Sequence, residues 1–554
     1  MRVLGVNAVF HDPAAAVVID GRTVAAAEEE RFSRRKHGKE AVPFSTWELP
    51  VQSMRWCLEE AGLKPSDLDA VAYSYDPVLA SEEGPGLDPG WERLRLLYVE
   101  RAPHFLATAL PGLDPNRVVH VPHHVAHAAS AALAAPKPAE GDADWAVLVA
   151  DGRGENTSHL LGSYSTKGDL EVLARQPLPD SLGMVYEELT EHLGFRRSSD
   201  EYKVMALASY GEPTMNELLK DRIAYLGEGR VVASRVDWEA LAPARRVGRE
   251  PTHEHADLAA SVQNRLEEVL LQLVEWLHEQ TGLCRLAMAG GVALNCVANS
   301  RIVREGPFDE VWVQPAAGDA GTALGGALQI AADLGDTIEA MPGADLGRGW
   351  DESELAAVLD EAEVEYERPD DLALEVARAL SEDALVAWFQ GRSEYGPRAL
   401  GHRSLLANPS RENNLERLNR VKGREQFRPV APMVAAERAS GIFSGGPLPS
   451  PYMLFVHEVA PQWRDRIPAV VHVDGTARVQ TVAFEDDPLT SRLLSEFEAL
   501  TGLPVLVNTS LNTAGRPMVD SPRDALECFG SAPVRVLALG PFLVRRGGSG
   551  EGRS

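Results

Sequence analysis

The amino-acid sequence predicts an α/β protein with more than one domain. Its 554 residues correspond to about two to four domains of roughly 150 residues each. Hydrophobic residues make up 44% of the chain and charged residues 25%, which is typical of globular proteins and excludes disordered or collagen-like architectures. Apolar runs of strand length alternate with longer helical patterns, and one strand–turn–strand pattern occurs twice.

The first occurrence of this pattern lies at the N-terminus. Strands are predicted at residues 2–8, 14–19 and 23–27, because these segments are apolar and short. Polar turns at residues 11–13 (His-Asp-Pro) and 20–21 (Asp-Gly) separate them. The segment therefore predicts a β-meander.

The second occurrence begins at Trp145 with the apolar run AVLVA. It continues through the turn DGRGE at residues 151–155 and ends in a strand at residues 158–164. Two such units about 145 residues apart, each with Asp and Gly in its turn, predict a duplicated, actin-like or sugar-kinase-like nucleotide fold. The alternative is an unduplicated α/β protein, since any large protein of that class contains hairpins.

Helices and a domain boundary complete the predicted architecture. Helices are predicted at residues 51–61, from Pro122 onward, and at residues 256–280, where Leu and Val recur on one face. The sequence between Met341 and Asp371 is first glycine-spaced and then acidic, and it predicts a connector at residues 351–370 that carries a short helix. It would join a first domain, residues 1–350, to a second, residues 371–554.

The charge balance restricts the partners that the protein can bind. Lys and Arg number 54 and Asp and Glu number 82, so the formal net charge is −28. Such a field disfavours nucleic acid and favours a small or cationic ligand. Residues 391–430 are an exception, with nine Lys and Arg against four Glu.

Cysteine usage and hydropathy indicate a cytoplasmic protein. The four cysteines are too scattered for metal knuckles and too few for a disulfide framework, which fits a reducing compartment. No uncharged apolar stretch reaches the length of a membrane span, and the N-terminal apolar run is interrupted at residues 11–13. Neither a signal peptide nor a membrane helix is expected.

Two histidines in the segment HHVAHAAS are candidate metal ligands. His123 and His127 are four residues apart on a helix that starts at Pro122, so both imidazoles project from one face. A structural pair is an equally good interpretation of this spacing. Asp151 and Asp319, each in a glycine-rich loop, could complete a site that favours Fe(II) or Zn.

Further motifs suggest a nucleotide site without a P-loop. The Gly290–Gly291 pair follows an apolar strand, where the backbone can approach a ligand, although packing explains it equally well. Lys203 precedes a small-residue stretch, and a plain exposed lysine is its alternative interpretation. Arginines among Gly and Pro in GRSEYGPRALGHRS and KGREQFRP suit phosphate, with a solvated basic face as the alternative.

Taken in order, these motifs resemble those of the NodU/CmcH-type O-carbamoyltransferase family. The resemblance extends along nearly the whole chain, and among the members it is closest to those that act on aminoglycoside antibiotics. It rests on the segments NAVFHDPAAAVVIDG, AAAEEERFSRRKH, HHVAHAAS, YKVMALASYG, GGVALN, GDAGTALGGAL, GRSEYGPRALGHRS, KGREQFRP and NTSLN.

The resemblance implies two dissimilar α/β domains with successive reactions. The N-terminal domain would be Kae1-like, that is, an actin-like duplicated (ASKHA) domain, and the C-terminal domain would be YrdC-like. The C-terminal domain would make carbamoyl adenylate from carbamoyl phosphate and ATP, together with Mg²⁺. The N-terminal domain would transfer the carbamoyl group to a hydroxyl, the 6″-hydroxyl of a tobramycin- or kanamycin-type aminoglycoside.

The resemblance also implies roles for individual residues. His11 would be the base that accepts the hydroxyl proton, and the metal would be Fe(II), with Zn less favoured. The metal ligands would be His123, His127, Asp151 and Asp319. The adenylate would be held by Lys203, Gly290, Gly291 and Asn295. Carbamoyl phosphate and ATP would be bound by Arg398, Arg403, Lys422, Arg424, Arg428, Asn508, Ser510 and Asn512.

A cationic acceptor requires carboxylates near the predicted active-site loops. Asp12, Glu155 and Asp200 are the candidates for that contact. Three alternatives stay open: a carbamoyltransferase for another natural-product hydroxyl, a tRNA-modifying enzyme of the threonylcarbamoyl type, and a non-catalytic nucleotide-binding scaffold. The acidic charge argues against the tRNA enzyme.

Overall fold

The computed structural model describes residues 1–38, 48–81, 89–137, 144–233 and 235–546. The chain divides into two compact units, Met1–Gly343 and Ala344–Ser554, and each is described by itself.

The first unit alternates strands and helices along the chain. Its strands are β1 (Arg2–Asn7), β2 (Ala14–Ile19), β3 (Arg22–Glu28), β4 (Ala70–Tyr73), β5 (Val118–His120), β6 (Trp145–Ala150), β7 (Thr157–Tyr164), β8 (Leu170–Pro177), β9 (Ile223–Gly227), β10 (Arg230–Ala233), β11 (Arg285–Ala289) and β12 (Glu310–Val313). Its helices are α1 (Glu30–Ser33), α2 (Val51–Glu60), α3 (Pro89–Ala109), α4 (His123–Ala132), α5 (Leu182–His192), α6 (Glu201–Ala208), α7 (Asn216–Leu219), α8 (Trp238–Leu241), α9 (His253–Thr281), α10 (Cys296–Glu305) and α11 (Gly321–Asp333).

Two five-stranded sheets of the first unit share one topology. In the first sheet, β1, β2 and β3 form an antiparallel meander, and β4 and β5 continue it in parallel on the other side of β1. In the second sheet, β6, β7 and β8 form the same meander, and β11 and β12 continue it in parallel beside β6. The predicted duplication is therefore confirmed.

The predicted helices of this unit are also confirmed. Helix α2 begins at Val51, α4 begins directly after Pro122, and α9 extends the predicted segment at both ends. Helix α9 ends at Gly282, whose φ of 64° is left-handed and suits glycine. Within the described residues, no helix combines the length and apolarity that crossing a membrane requires.

Close backbone contacts place helix α11 on both α4 and β1. A Cβ added at Gly325 would lie 1.8 Å from the carbonyl oxygen of Ala126 in α4. A Cβ added at Gly5 of β1 would lie 1.8 Å from the carbonyl oxygen of Ala323 in α11. Only glycine permits such approaches. The loop before α11 and the first turn of α4 are thereby fixed relative to each other.

The second unit is built around one mixed sheet of seven strands, and the other three strands described in this unit, β16 to β18, form a separate small sheet. The strands and helices below are those of the whole unit. Its strands are β13 (Val386–Phe389), β14 (Arg403–Ala407), β15 (Ala431–Ala435), β16 (Phe443–Ser444), β17 (His457–Val459), β18 (Thr476–Ala477), β19 (Gln480–Val482), β20 (Val505–Ser510), β21 (Val536–Leu539) and β22 (Phe542–Arg545). Its helices are α12 (Glu352–Glu361), α13 (Leu372–Ser381), α14 (Asn413–Val421), α15 (Ala436–Ala439), α16 (Pro461–Arg464), α17 (Pro488–Thr501) and α18 (Pro522–Ser531). The strand order in the sheet is β19-β15-β20-β14-β13-β21-β22.

The segment predicted as a connector, residues 351–370, lies within the second unit. Its short helix is α12, and Leu355 and Leu359 on one face of that helix are buried in the core of the unit. Glu367 forms a β-bridge with Leu543 at the edge of the sheet. The acidic composition reflects the exposed face of a packed helix, and the unit starts at Ala344.

Candidate metal centre and active site

Four buried side chains of the first unit converge on one point. The Nε2 atom of His123 lies 3.5 Å from Asp151 Oδ2 and 3.6 Å from Asp319 Oδ1, and His127 Nε2 lies 3.6 Å from Asp319 Oδ1. The four ligand atoms lie within 4.8 Å of one another. None of the residues is more than 5% exposed. The structure thus brings together all four residues that were predicted as ligands.

The fold explains why these residues meet. His123 and His127 occupy successive turns of α4. Asp151 directly follows β6, in the turn of the second meander, and Asp319 directly precedes α11. Because α11 packs closely on α4, Asp319 faces the histidine-bearing side of that helix, and Asp151 faces the same side from the end of β6.

Neighbouring groups orient two of these side chains. His123 Nδ1 donates to the carbonyl oxygen of Ser74 (3.2 Å), so Nε2 is the nitrogen that faces the carboxylates. The Gly291 N–H donates to Asp151 Oδ1 (2.9 Å), and Asp151 Oδ2 is left to face the imidazoles. The predicted glycine pair therefore supports a candidate ligand.

The residues fit a divalent metal ion. The Nε2 atoms of His123 and His127 and both carboxylate oxygens of Asp319 are buried and lack a hydrogen-bond partner among the described residues. Buried polar atoms normally have a partner, because leaving them without one costs free energy. Two imidazoles and two carboxylates are ligands that suit Fe(II) or Zn.

Electrostatic interactions within the cluster shift the pKa values of its members. Burial disfavours a charged His123, but its interactions with the nearby carboxylates of Asp151 and Asp319 outweigh burial and raise the pKa of His123 well above its usual value. Burial likewise disfavours a charged Asp151, but His123 and His127 hold its pKa well below the usual range. Burial and the neighbouring His123 lower the pKa of His124, which was not among the predicted residues. Both carboxylates are therefore ionised at neutral pH.

The predicted base lies beside this cluster. His11 Nε2 is 3.6 Å from Asp319 Oδ2, and His11 Nδ1 is 2.9 Å from Asp12 Oδ2. The side-chain amide of Asn7 donates to the carbonyl oxygens of His11 and Asp12, both at 2.9 Å. Asn7 is fully buried and was not predicted as a site residue. The sequence feature that could have identified it is a polar residue at the end of an apolar strand.

A cationic cluster that sequence reasoning missed packs around Phe10. The guanidinium groups of Arg95 and Arg153 lie 4.8 and 5.4 Å from the centre of the Phe10 ring, and both arginines pair with the buried Glu92. The edge-on contact between Phe10 and His123 spans 5.2 Å. Arg153 belongs to the same turn as Asp151. These contacts hold Phe10, whose φ is 51°, and thus fix the loop that carries His11.

The residues predicted to contact a cationic acceptor are occupied by other protein groups. Asp12 binds the rings of His11 and His37. Glu155 is 3% exposed, and its Oε1 accepts the backbone N–H groups of His123 (2.8 Å) and Asp76 (2.9 Å), so it anchors the start of α4. Asp200 pairs with Lys203 Nζ at 3.1 Å. The assignment of these three residues to the acceptor stays a prediction, and in Glu155 the carboxylate also serves as the acceptor that buried backbone N–H groups require.

Two of the residues predicted to hold the adenylate, an assignment that stays a prediction, have structural partners within the first unit. Asn295 Oδ1 accepts the Ala298 N–H at the start of α10, and its amide pairs with Gln263 (2.9 Å). A Cβ at Gly290 would lie 2.2 Å from the Ala150 carbonyl oxygen, so this glycine permits close packing of β6 and β11. Lys203 interacts with Asp200 and with the ring of Phe195.

Two residues predicted to bind phosphate groups are in the core of the second unit. Arg403 is fully buried and donates to the carbonyl oxygens of Gln390 (2.6 Å) and Arg348 (2.9 Å), while its guanidinium stacks on Phe389. Asn508 is 1% exposed, and its amide donates to the side chain of Gln480 (2.6 Å). Neither side chain reaches the surface.

Three of the other predicted residues of this unit, Lys422, Ser510 and Asn512, contact one another. Lys422 Nζ contacts Ser510 Oγ (2.9 Å) and the side-chain oxygen of Asn512. An open cavity of about 430 Å³ is lined by residues that neighbour Lys422 and Asn512 in the sequence, among them Gly423 and Thr513. Arg424 binds Asn419 Oδ1 (2.5 Å), Arg428 lies 3.7 Å from Glu425, and Arg398 lies in the loop between β13 and β14.

Comparison with known proteins shows which family the chain belongs to. The family model for the carbamoyltransferase N-terminus matches residues 2–109 and 97–328, and the model for the carbamoyltransferase C-terminus matches residues 377–546. The chain belongs to the carbamoyltransferase family. It is accordingly an O-carbamoyltransferase, an enzyme that transfers a carbamoyl group to oxygen.

Relatives in this family match almost the full chain. Nodulation protein NolNO of Sinorhizobium fredii is 38% identical over 568 residues, which cover 98% of this chain and 80% of that protein. Nodulation protein U of Rhizobium tropici is 31% identical over 93% of this chain and 92% of its own length. Among solved structures, HypF of T. kodakarensis aligns with 61% of this chain and 48% of its own at 16% identity, with a TM-score of 0.35.

Proposed function

We propose that this carbamoyltransferase uses carbamoyl adenylate as its donor and an alcohol of an aminoglycoside as its acceptor. The observation that carries the proposal is the position of His11 beside the buried cluster of His123, His127, Asp151 and Asp319. A base and a candidate cation site next to each other suit acyl transfer to a weakly nucleophilic hydroxyl.

In the transfer step, the acceptor hydroxyl loses its proton to His11 Nε2. Its oxygen forms a bond to the carbamoyl carbon, and the bond between that carbon and the AMP oxygen breaks. Asp12 accepts from Nδ1 of His11, so Nε2 is the nitrogen available for the proton. A positioned base of this kind contributes about 10²- to 10⁴-fold to the rate.

His123, His127, Asp151 and Asp319 would hold the metal, which we propose to be Fe(II). A divalent ion bound there supplies Lewis acidity toward the carbamoyl or phosphate oxygens of the donor. The residues themselves contribute a water-excluded site, since none of the four is more than 5% exposed. Exclusion of water protects a donor that hydrolyses readily.

The second unit would form the donor. Hydrolysis of carbamoyl phosphate gives carbamate and phosphate, and a carbamate oxygen then displaces pyrophosphate from the α-phosphorus of ATP. Cationic side chains near the cavity would neutralise the approaching phosphates. The residues proposed for this role are Arg398, Lys422, Arg424 and Arg428, with Ser510 and Asn512.

A polycationic acceptor suits the acidic surroundings of His11. Glu201 lies close to Glu187 and to His11, and burial together with Glu187 raises the pKa of Glu201 to about 7. The net charge of −28 acts in the same direction and disfavours tRNA. We therefore propose the 6″-hydroxyl of a tobramycin- or kanamycin-type aminoglycoside.

Mass spectrometry of tobramycin incubated with the enzyme, carbamoyl phosphate and ATP tests the proposal. We expect one added carbamoyl group and its absence when ATP is omitted. Modification of labelled tRNA, or of a neutral sugar in preference to tobramycin, would contradict the acceptor assignment. Carbamoylation that proceeds equally well without ATP would contradict the adenylate.

Separate assays of the two steps test the division of labour. His11→Asn should abolish transfer from supplied carbamoyl adenylate and leave pyrophosphate release intact, whereas Lys422→Met should do the reverse. Lys220→Met is the control, because Lys220 is exposed and pairs with Glu217 on the surface. Equal loss of both steps in either variant would refute the scheme.

A further inference from the structure

A second histidine lies behind the proposed base, on the far side of Asp12. His37 Nδ1 is 2.7 Å from Asp12 Oδ1, and His11 Nδ1 is 2.9 Å from Asp12 Oδ2. The same carboxylate therefore joins two imidazoles, one through each oxygen. On its other side, His11 Nε2 faces Asp319 Oδ2 at 3.6 Å.

The chemistry of Asp12 fixes which ring nitrogens carry protons. Burial disfavours its charged form, but His37 and His11 outweigh burial and hold the pKa of Asp12 well below the usual range. An ionised carboxylate only accepts hydrogen bonds. Both Nδ1 atoms must therefore be the donors, and His11 carries its proton on Nδ1 rather than Nε2.

Backbone hydrogen bonds fix the relative positions of the segments that carry His11, Asp12 and His37. The His37 N–H donates to Glu30 Oε2 (2.8 Å), and the Asp12 N–H donates to the His37 carbonyl oxygen (3.3 Å). The φ of Asp12 is 50° and that of His37 is 59°, both left-handed. Non-glycine residues adopt such angles only where the surrounding contacts impose them. The arrangement is built from two segments, the loop after β1 and the segment after α1.

A hydrogen-bonded arrangement explains this geometry better than a metal ion does. Asp12, Glu30 and His37 offer ligand atoms within 4.8 Å of one another. However, the 2.7 Å contact between His37 Nδ1 and Asp12 Oδ1 is a hydrogen-bond distance. Two ligands of one ion would lie farther apart, because each is about 2.0 to 2.2 Å from the metal.

We propose that His37 is a positioning residue for carbamoyl transfer, which acts through Asp12 to hold the His11 ring in the Nδ1–H tautomer, so that Nε2 is the nitrogen that takes the acceptor proton. The inference rests on the proposed role of His11 as the base. His37 itself does not contact the substrate. It restrains Asp12 from one side, so the carboxylate orients the His11 ring from the other.

Two variants of His37 and a double-mutant cycle test the inference. His37→Ala removes the donor to Asp12, and we expect kcat for transfer to fall by about 10- to 100-fold with KM for the donor nearly unchanged. His37→Asn keeps an N–H near the position of Nδ1 and should restore most of that loss. In a His11→Asn background, His37→Ala should have no further effect on the residual rate.

A spectroscopic measurement separates positioning from a general structural role. In ¹⁵N-histidine-labelled protein, the ring of His11, assigned by its loss in His11→Asn, should show the Nδ1–H tautomer. His37→Ala should abolish that pattern, and His37→Asn should restore it. His104→Ala, which removes an exposed imidazole, is the control and should change neither the spectrum nor the rate.

The outcomes distinguish this inference from the proposed function. Wild-type protein that transfers no carbamoyl group to tobramycin would contradict the proposed function, while the tautomer of His11 would still test the restraint by His37. Active wild-type protein with an unchanged rate in His37→Ala would overturn the inference alone. Losses that add fully in the double variant, or an Nε2–H tautomer of His11, would also overturn it.

Discussion

Single buried side chains determine the chemistry available to the first unit. Asp319 is 1% exposed, and neither of its oxygens has a hydrogen-bond partner among the described residues. Burial disfavours the charged form of Asp319, but the electrostatic interactions with His11, His123 and His127 outweigh burial and lower its pKa. A buried, ionised carboxylate that faces three imidazoles is a strong candidate ligand for a cation.

Replacement of Asp319 tests the metal site directly. Asp319→Asn keeps the size of the side chain but removes its charge, so we expect affinity for a divalent metal to fall by more than about 100-fold. Metal analysis of the purified protein measures the effect. The control is Asp333→Asn, which changes an exposed carboxylate at the end of α11, the helix that follows Asp319. Equal metal content in Asp319→Asn and wild type would exclude this residue as a ligand.

The half-buried Glu201 predicts a pH dependence of stability. Its pKa in the folded protein is about 7, against an ordinary value of 4.5, so folding favours the protonated form. The stabilisation is complete below about pH 4.5 and is lost as the pH rises to about 7, a change of up to about 3 kcal/mol.

Glu201→Gln should therefore gain stability relative to wild type between pH 5 and pH 8. Urea unfolding at both pH values measures the difference, and the exposed Glu191→Gln is the matched control. A constant difference between Glu201→Gln and wild type across this range would contradict the prediction.

Residue type and spacing predicted some residues of the candidate site but not others. The helical spacing of His123 and His127 indicates a shared face, and their convergence with Asp151 and Asp319 needed the resemblance to known enzymes. The assignment of Arg403 to phosphate stays a prediction, and its guanidinium donates to the carbonyl oxygens of Gln390 and Arg348. An arginine among glycines can satisfy loop carbonyls as well as phosphate oxygens, and only the fold determines which of them it meets. His37 was not predicted as a site residue, because its partner Asp12 is distant in the sequence.

The two helices that carry or flank the candidate ligands depend on glycine contacts. Helix α11 approaches α4 so closely at Gly325 that no side chain fits between their backbones. The motif GDAGTALGGAL, which suggested a ligand loop, therefore also has a packing role. Sequence periodicity located these elements well, but it could not show which glycines make contact between helices.

Gly325→Ala should be strongly destabilising. The new methyl group would lie 1.8 Å from the Ala126 carbonyl oxygen, so the helices must separate, at a cost of about 3 kcal/mol or more. Gly326→Ala is the graded control, because its nearest contact would be a methyl group of Ala72 at 3.3 Å. Denaturant unfolding compares the two variants, and equal stability would refute the packing role.

The molecule as a whole consists of two units with separate cores. Buried residues of β13, β14, β20 and β21 form the centre of the second unit, together with those of α13 and α17. The β-meanders of the first unit were predictable from alternating strands and turns. The start of the second unit was not, because an acidic helix with two buried leucines resembles a linker in composition.

The second unit should fold independently. Residues 344–546 expressed alone should unfold in one cooperative urea transition, since they contain a complete sheet and its covering helices. Circular dichroism and tryptophan fluorescence measure the transition, and the two probes should coincide. A fragment that starts at residue 371 lacks α12 and should be less stable. A gradual, probe-dependent transition of the longer fragment would contradict the prediction.

The repeated topology of the two sheets has a consequence for how such a catalyst arises. His11 and Asp12 occupy the hairpin loop between β1 and β2, and Asp151 occupies the corresponding loop between β6 and β7. Duplication of one ancestral hairpin would have created two equivalent loops that could then diverge. One loop now carries His11 and Asp12 and the other presents the Asp151 carboxylate to His123, so the two loops differ in their residues while their scaffolds share one topology.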